Sequence, residues 1–154
     1  MTAFRFELDA ARDPRVVAFL RAHLEDMHRV SPPESVHALD TAQLRLPGIR
    51  FWTAWAQDAL VGSCALKTID SAHLELKTMR IDAKHRGTGA AQQLLDFVLT
   101  QAQLSGAQRI SLETGSQDFF VPARRLYARN GFVPCAPFGS YQPDPHSCFM
   151  SRVI

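Results

Sequence analysis

The amino-acid sequence predicts a single α/β domain, of the α+β kind, that combines strands and helices in one core. Its 154 residues, of which 46% are hydrophobic, suffice for one sizeable core, so residues 1–154 are interpreted as one domain. Apolar side chains alternate with polar ones in some segments and recur at helical spacing in others. The succession of these segments predicts the element order β-α-α-β-β-β-α-β-α-β-β.

The first half of the chain predicts one strand, two helices and three further strands. Phe4, Phe6 and Leu8 alternate with charged residues, as in a strand with one buried face. Asp13 before Pro14 is a typical helix start, because the aspartate accepts a hydrogen bond from the first turn and the proline lacks an N–H that would need a partner. The remaining elements of this half are a short helix that begins at Asp40 or Thr41 and strands at residues 49–56, 59–67 and 73–81.

The second half of the chain predicts two helices and the last strands. One helix begins near Gly89 and ends near Gly106, a typical residue after a helix end. A strand at residues 109–114 and a helix that contains Phe120 and Tyr127 follow, and Asp118 is expected to cap this helix. The proline-rich tail is interpreted as an ordered loop or a lid before a terminal strand at residues 147–153.

Composition and charge exclude several classes of protein. The formal net charge of +2 is too small to indicate a nucleic-acid or membrane surface. The three cysteines form no Cys-x-x-Cys pair, which favours a reducing compartment over a disulfide framework. Charged residues occupy the N-terminal region where a signal peptide needs an apolar run, and no stretch reaches about 18 apolar residues. We therefore expect a soluble cytoplasmic protein.

Residues 79–95 form the segment around which the chain is organised: a strand, a basic glycine-containing turn and the start of a helix. Gly87 and Gly89 allow the main chain to approach a ligand closely. The unpaired N–H groups of the first helical turn favour an anion, most naturally a phosphate. Neither Gly-Lys-Ser/Thr nor Gly-x-Gly-x-x-Gly is present, so the common nucleotide loops are excluded. The alternative is a solvated basic turn between two core elements.

Two segments carry a resemblance to a known family. Residues 86–91, Arg-Gly-Thr-Gly-Ala-Ala, resemble the acyl-CoA pyrophosphate motif Arg-x-x-Gly-x-Ala of the GNAT (GCN5-related) N-acetyltransferase superfamily. Residues 123–132 resemble the helix signature Ala-x-x-Leu-Tyr-x-x-x-Gly-Phe of the same superfamily. The resemblance covers essentially the whole chain. It implies the GNAT fold, a mixed and mostly antiparallel central sheet flanked by helices.

The resemblance also implies acetyl-CoA as co-substrate and assigns residues to it. Tyr127 is implied as the acid that protonates the departing thiolate. Phe120 stands where the family has an asparagine that contacts pantetheine, so Ser116, Gln117 or the main chain near Thr114 would have to replace that contact. The residues expected to bind the cofactor are Met79, Arg80, Ile81, Arg86, Gly87, Thr88, Gly89, Ala90, Ala91, Thr114, Phe120, Ala123 and Arg124.

A general base is needed because an ammonium group has no lone pair with which to attack a thioester. Glu75 is the leading hypothesis, since some members of the superfamily carry a catalytic glutamate at this position of the strand. Its alternative role is a surface carboxylate paired with Lys77 or His73, and Glu113 is the competing base. Glu34 and His37 are weaker hypotheses. A period of two predicts one strand face for His73, Glu75, Lys77, Met79 and Ile81, with Arg80 on the other.

The prediction is an acetyl-CoA-dependent N-acetyltransferase that acts on the amine of a small molecule or an amino-acid-like acceptor by direct transfer in a ternary complex. The alternative is a non-catalytic acyl-CoA-binding sensor or partner module. No metal is expected, because none of the six histidines falls into a metal-ligand spacing. No nucleic-acid or membrane partner is expected. An exposed terminal strand would allow a homodimer.

Overall fold

The computed structural model describes residues 3–154 and contains seven strands and four α-helices over that range. The element order is the predicted one. In chain order the elements are β1 Arg5–Leu8, α1 Pro14–Val30, α2 Thr41–Leu44, β2 Ile49–Ala56, β3 Ala59–Asp70, β4 His73–Ile81, α3 Ala90–Leu104, β5 Arg109–Gly115, α4 Val121–Arg129, β6 Val133–Pro134 and β7 Ser147–Val153.

The strands form one open sheet in the order β1-β2-β3-β4-β5-β7-β6. The pair of β4 with β5 is parallel, and the other five neighbouring pairs are antiparallel. The mixed, mostly antiparallel sheet is therefore confirmed. Helix α3 makes the long connection between the two parallel strands, as a parallel pair requires.

Each face of the sheet buries its own apolar cluster. On one face, α3 and α4 pack onto the sheet through residues such as Leu94, Val98 and Tyr127. On the other face, α1 and α2 cover a smaller cluster that includes Leu20 and Leu44. The helices are thus placed on both sides of the strands that form the site.

The helix starts agree with the sequence in two cases and differ in one. Asp13 caps α1 by accepting a hydrogen bond from the Arg15 N–H, and Asp40 forms a capping box with Gln43 at α2. Asp118 does not cap α4: it opens a 3₁₀ turn over residues 118–120, and the α-helix begins only at Val121. The sequence does not distinguish the two roles, because aspartate is common both at the start of a turn and at the N-cap of a helix.

The predicted faces of β4 are wrong beyond Lys77, because the strand contains a bulge. Thr78 has a φ of 55°, and the pairing with β3 advances from Ala65–Lys77 to Ser63–Arg80, which inserts one extra residue in β4. Arg80 therefore lies on the same face as Glu75 and Lys77, towards α1. Met79 and Ile81 instead pack against the α3-side cluster.

Strands β4 and β5 pair over only part of their length. The parallel ladder runs from His73–Arg109 to Leu76–Leu112 and stops there. Residues 77–81 and 113–115 continue as strands without pairing to each other. The sheet consequently opens in its middle, and this gap positions the site.

Strand β7 does not lie at the sheet edge, contrary to the expectation of an exposed terminal strand. It runs between β5 and β6, although β6 covers it only at Ser151 and Met150. The outer strands are β1 and β6. Within residues 3–154, no helix combines the length and apolar character needed to cross a membrane.

Candidate active site

A cleft of about 620 Å³ occupies the gap between β4 and β5 and reaches both faces of the sheet. The structure brings Tyr127 and most of the predicted cofactor-binding residues to its wall. Those that line it are Met79, Arg80, Ile81, Arg86, Gly87, Gly89, Ala90, Ala91, Thr114, Phe120 and Ala123. These residues come from β4, the following turn, α3, β5 and α4, so one cavity collects both sequence motifs.

Two predicted cofactor residues do not line the cleft and have local structural contacts instead. The Thr88 hydroxyl donates to the His85 carbonyl within the turn. The Arg124 guanidinium donates to the Gly115 and Gln117 carbonyls at 2.6 and 3.2 Å, which ties α4 to the end of β5. Both side chains therefore bind main-chain carbonyl groups of segments that border the cleft.

The glycine turn has the geometry of an anion site. Gly87 and Gly89 have φ values of 76° and 86°, and Gly89 is the N-cap of α3 without a side-chain cap. A Cβ atom at either glycine would meet nothing within 4 Å, so the backbone conformation, rather than lack of space, favours glycine there. The first N–H groups of α3 have no partner within the helix, and the residues at this helix start line the cleft beside Arg86.

Tyr127 lies in the cleft wall with only 6% of its surface exposed. Its ring packs edge-on against Phe132 at a centroid distance of 5.7 Å. Burial raises the pKa of the phenol above its ordinary value, with a smaller contribution from nearby Cys64. Tyr127 is therefore a protonated group at neutral pH.

Phe120, which stands where the family has an asparagine, lines the cleft with an apolar ring. Its ring lies so close to Gly115 that a Cβ atom there would come within 2.2 Å of it. Gly115 at the end of β5 is thus needed for Phe120 to reach the cleft. The sequence predicts Phe120 at the site. It gives no indication that Gly115 is required, because that requirement follows from the packing of the Phe120 ring.

The α1 side of the cleft is lined by Arg80 and His37, which the sequence connects with the site, and by His23 and Ser35, which it does not. The Arg80 guanidinium forms an ion pair with Asp26 of α1 at 2.8 Å. His23 is buried one turn before Asp26, and burial lowers its pKa to about 4, with a further contribution from Arg80. His37 and Ser35 of the loop after α1 close this side. Spacing on α1 predicts a buried face for the helix but not this polar cluster.

Glu75 is buried behind the cleft wall and does not line the cleft. Its carboxylate accepts hydrogen bonds from Tyr141 at 2.5 Å and from Lys77 at 3.2 Å, and Lys77 also donates to the Tyr141 hydroxyl at 2.9 Å. These three residues border a second cavity of about 470 Å³. Burial, followed by the charge of Glu75, raises the pKa of Tyr141. Glu75 forms the expected ion pair with Lys77, but it is buried and does not lie at the protein surface.

Glu113 lines the cleft, on the α1 side of the sheet. It alternates with Ile110 and Leu112, which belong to the α3-side cluster, and therefore faces the other way. Burial raises its pKa, and the Ser147 hydroxyl and the Lys77 ammonium group oppose that rise. Glu34, the weaker alternative from the loop, does not line the cleft.

The part of the chain that the structure describes holds no group of three or more His, Cys, Asp or Glu side chains able to bind a metal ion. Cys64, Cys135 and Cys148 are free thiols.

Comparisons with known proteins identify the family of this chain and other proteins with its fold. Residues 16–132 match the model of the Acetyltransferase (GNAT) family. The uncharacterized N-acetyltransferase YsnE of Bacillus subtilis (strain 168) is 45% identical over 148 residues, which is 96% of this chain and 98% of that protein. A putative acyl-CoA N-acyltransferase of Klebsiella pneumoniae has the same fold, with a TM-score of 0.80, 26% identity and 99% coverage of both chains.

A Bacillus subtilis acetyltransferase solved in complex with CoA also shares the fold, with a TM-score of 0.69, 19% identity and 99% coverage of both chains. The chain described here belongs to the GNAT acetyltransferase family. It is an acyl-CoA-dependent N-acetyltransferase.

Proposed function

We propose that this enzyme transfers an acetyl group from acetyl-CoA to the amine of a small-molecule or amino-acid-like acceptor, directly and within a ternary complex, in the cytoplasm. The observation that carries the proposal is a single cleft that passes through the sheet between β4 and β5. One end holds the glycine turn and the other holds polar side chains next to α1. Two substrates can therefore meet without a covalent enzyme intermediate.

The turn between β4 and α3 is proposed to hold the pyrophosphate. Amides of residues 87–91 supply N–H donors at a helix N-terminus, and Arg86 adds a positive charge at the same end of the cleft. Pantetheine would then run along β4, where main-chain groups near Met79 and Ile81 are free of pairing with β5. The CoA complex of the Bacillus subtilis relative supports a CoA site in this fold.

Tyr127 is proposed as the acid that protonates the thiolate. It lines the α4 side of the cleft, and its phenol is protonated at neutral pH, since its ordinary pKa of about 10 is raised further by burial. A main-chain N–H at the end of β4 is proposed to stabilise the thioester oxygen as it gains charge. Phe120 and Ala123 supply an apolar wall around the departing sulfur.

The experiment compares Gly89→Glu and Gly89→Gln with the wild type. It measures their affinity for acetyl-CoA and, by detecting the released thiol, their turnover of acetyl-CoA with a panel of amines. Both side chains meet the same positive φ and the same open space at Gly89. The glutamate adds a negative charge beside the phosphates, so we expect at least a 100-fold larger loss of acetyl-CoA affinity for Gly89→Glu than for Gly89→Gln, as two tenfold steps of about 1.4 kcal/mol.

Equal affinities in the two variants would contradict the pyrophosphate assignment. Tight acetyl-CoA binding by the wild type with no thiol release for any amine would instead support the non-catalytic alternative.

A further inference from the structure

We propose that Glu113 is the general base of this enzyme, and that Glu75 is a positioning residue that acts through Lys77 and Tyr141. The inference rests on the proposed function and deepens it, because it assigns the group that meets the acceptor's nitrogen. It differs from the interpretation of the strand motif, in which Glu75 is the leading base.

The first observation is the place of Glu113 in the sheet. The β4–β5 ladder ends at Leu76–Leu112, so Glu113 is the first residue of β5 beyond the last pair. Its side chain lies on the α1 face and lines the cleft. Glu113 thus stands where the sheet opens, on the face opposite to Tyr127.

The second observation is the difference between the ion pairs of the two carboxylates. Within residues 3–154, the Glu75 carboxylate pairs with Lys77 at 3.2 Å and Arg80 pairs with Asp26 at 2.8 Å, whereas Glu113 forms no ion pair. A half-buried carboxylate without a fixed cation partner is suited to bind a cation that arrives with the substrate. The acceptor's ammonium group is such a cation.

The titratable groups around Glu113 come from β4, α1, the loop after α1 and the loop before β7. Lys77 lowers its pKa, while Glu75 on β4 and Asp144 in the loop before β7 raise it. Arg80, His23 and His37 also line the cleft on this side. Burial has the largest effect and raises the pKa towards the range in which a base works at neutral pH. Geometry selects Glu113, and this shift supports the selection.

The proton balance is complete without a further reactant. The Glu113 carboxylate takes one proton from the acceptor's ammonium group, and the freed lone pair forms the C–N bond with the thioester carbon. The C–S bond then breaks, with its electron pair on sulfur, and Tyr127 gives its proton to the thiolate. The second proton lost by the nitrogen replaces the one that Tyr127 gave, so each turnover releases one proton to solvent.

Glu75 holds the wall of the cleft in place. Its two hydrogen bonds fix Lys77 of β4 and Tyr141 of the loop before β7, and Tyr141 packs edge-on against His37 at 5.0 Å. His37 lines both cavities. Loss of the Glu75 carboxylate would therefore loosen the acceptor side without removing the base.

The test is the pH dependence of kcat/KM for the wild type, Glu113→Gln and Glu75→Gln with one accepted amine. We expect Glu113→Gln to lose about 10²- to 10⁴-fold in kcat/KM at neutral pH, and its acidic limb to move from the pKa of the Glu113 carboxylate up to the pKa of the acceptor amine. In that variant, the rate should rise with pH as the free amine forms. Glu75→Gln should keep the acidic limb and raise the acceptor's KM more than it lowers kcat, and Tyr141→Phe should share this effect.

Acetyl-CoA affinity and the melting temperature of each variant show whether it is folded, and Glu113→Asp, which keeps a carboxylate, should retain the limb. An acidic limb that stays at its wild-type pH in Glu113→Gln, or that disappears in Glu75→Gln, would overturn the proposal. A wild type that releases no thiol with any amine would overturn the proposed function instead.

Discussion

At the residue scale, the structure separates two glutamates that the sequence could only rank. Both lie on the α1 face of neighbouring strands, and the family resemblance favoured Glu75. The deciding contact is the Tyr141 hydroxyl, which is 66 residues away along the chain and lies in a loop without periodicity. No local pattern indicates such a contact, so the buried state of Glu75 could not be predicted.

Thr78 is a second residue whose role has no sequence signal. Threonine is an ordinary strand residue, yet here it has a positive φ, and its side-chain oxygen is buried without a hydrogen-bond partner among the described residues. The bulge that it forms reverses the faces of Met79, Arg80 and Ile81. A strict period of two cannot anticipate one inserted residue.

The lowered pKa of His23 predicts that the free energy of unfolding depends on pH. Its pKa is about 4 in the folded protein, below the ordinary value of 6.5, so between these values the unfolded chain binds the proton more readily. Stability should therefore fall as the pH drops from about 6.5 to about 4, by up to about 3 kcal/mol from this residue. Urea unfolding across this window should show a flatter dependence for His23→Gln than for the wild type.

His28→Gln is the matched control, because His28 is an exposed residue of the same helix. It should keep the wild-type slope. An unchanged slope in His23→Gln would show that another group causes the acid sensitivity.

At the element scale, the sequence predicted most boundaries because local chemistry sets them. Asp13 and Asp40 cap their helices, and Gln57-Asp58 turns the hairpin between β2 and β3 as expected. The start of α4 was missed, since Asp118 could open either a turn or a helix in sequence; in the structure it opens a 3₁₀ turn that ends at Phe120, whose ring packs against Gly115.

The capping box of α2 predicts a measurable contribution to stability. Asp40 accepts from the Gln43 N–H at 2.8 Å, and the Gln43 side chain accepts from the Asp40 N–H at 2.9 Å. We expect Asp40→Ala to lower the free energy of unfolding by about 1 kcal/mol, measured by urea unfolding.

Asp40→Asn keeps an acceptor oxygen and should remain close to the wild type. If the two variants were equally unstable, or if neither differed from the wild type, the cap would not be the source of the effect.

At the scale of the whole molecule, the family and the sheet were predictable because two motifs fix the order of β4, α3 and α4 along the chain. The position of the terminal strand was not predictable. Strand β7 enters between β5 and the two-residue β6, so a homodimer through β7 would have to use the part that β6 leaves uncovered. Homodimerisation stays a prediction, which the solution mass would test.

Ligand binding should stabilise the whole fold, because the proposed CoA site joins β4, α3 and α4. At a concentration about 100-fold above Kd, acetyl-CoA should add about 2.7 kcal/mol. For a chain of this size, the melting temperature should rise by about 5–10 °C. Thermal unfolding should show this rise for the wild type and none for Gly89→Glu. A wild type that does not respond would contradict the site.

The gap where β4 leaves β5 connects the two sides of the sheet. In the proposed ternary complex, the nucleotide and the amine would therefore approach from opposite sides, and neither would block the entrance of the other. A bisubstrate compound that joins CoA to an amine through a short spacer is expected to pass through the opening and to bind on both sides of the sheet at once.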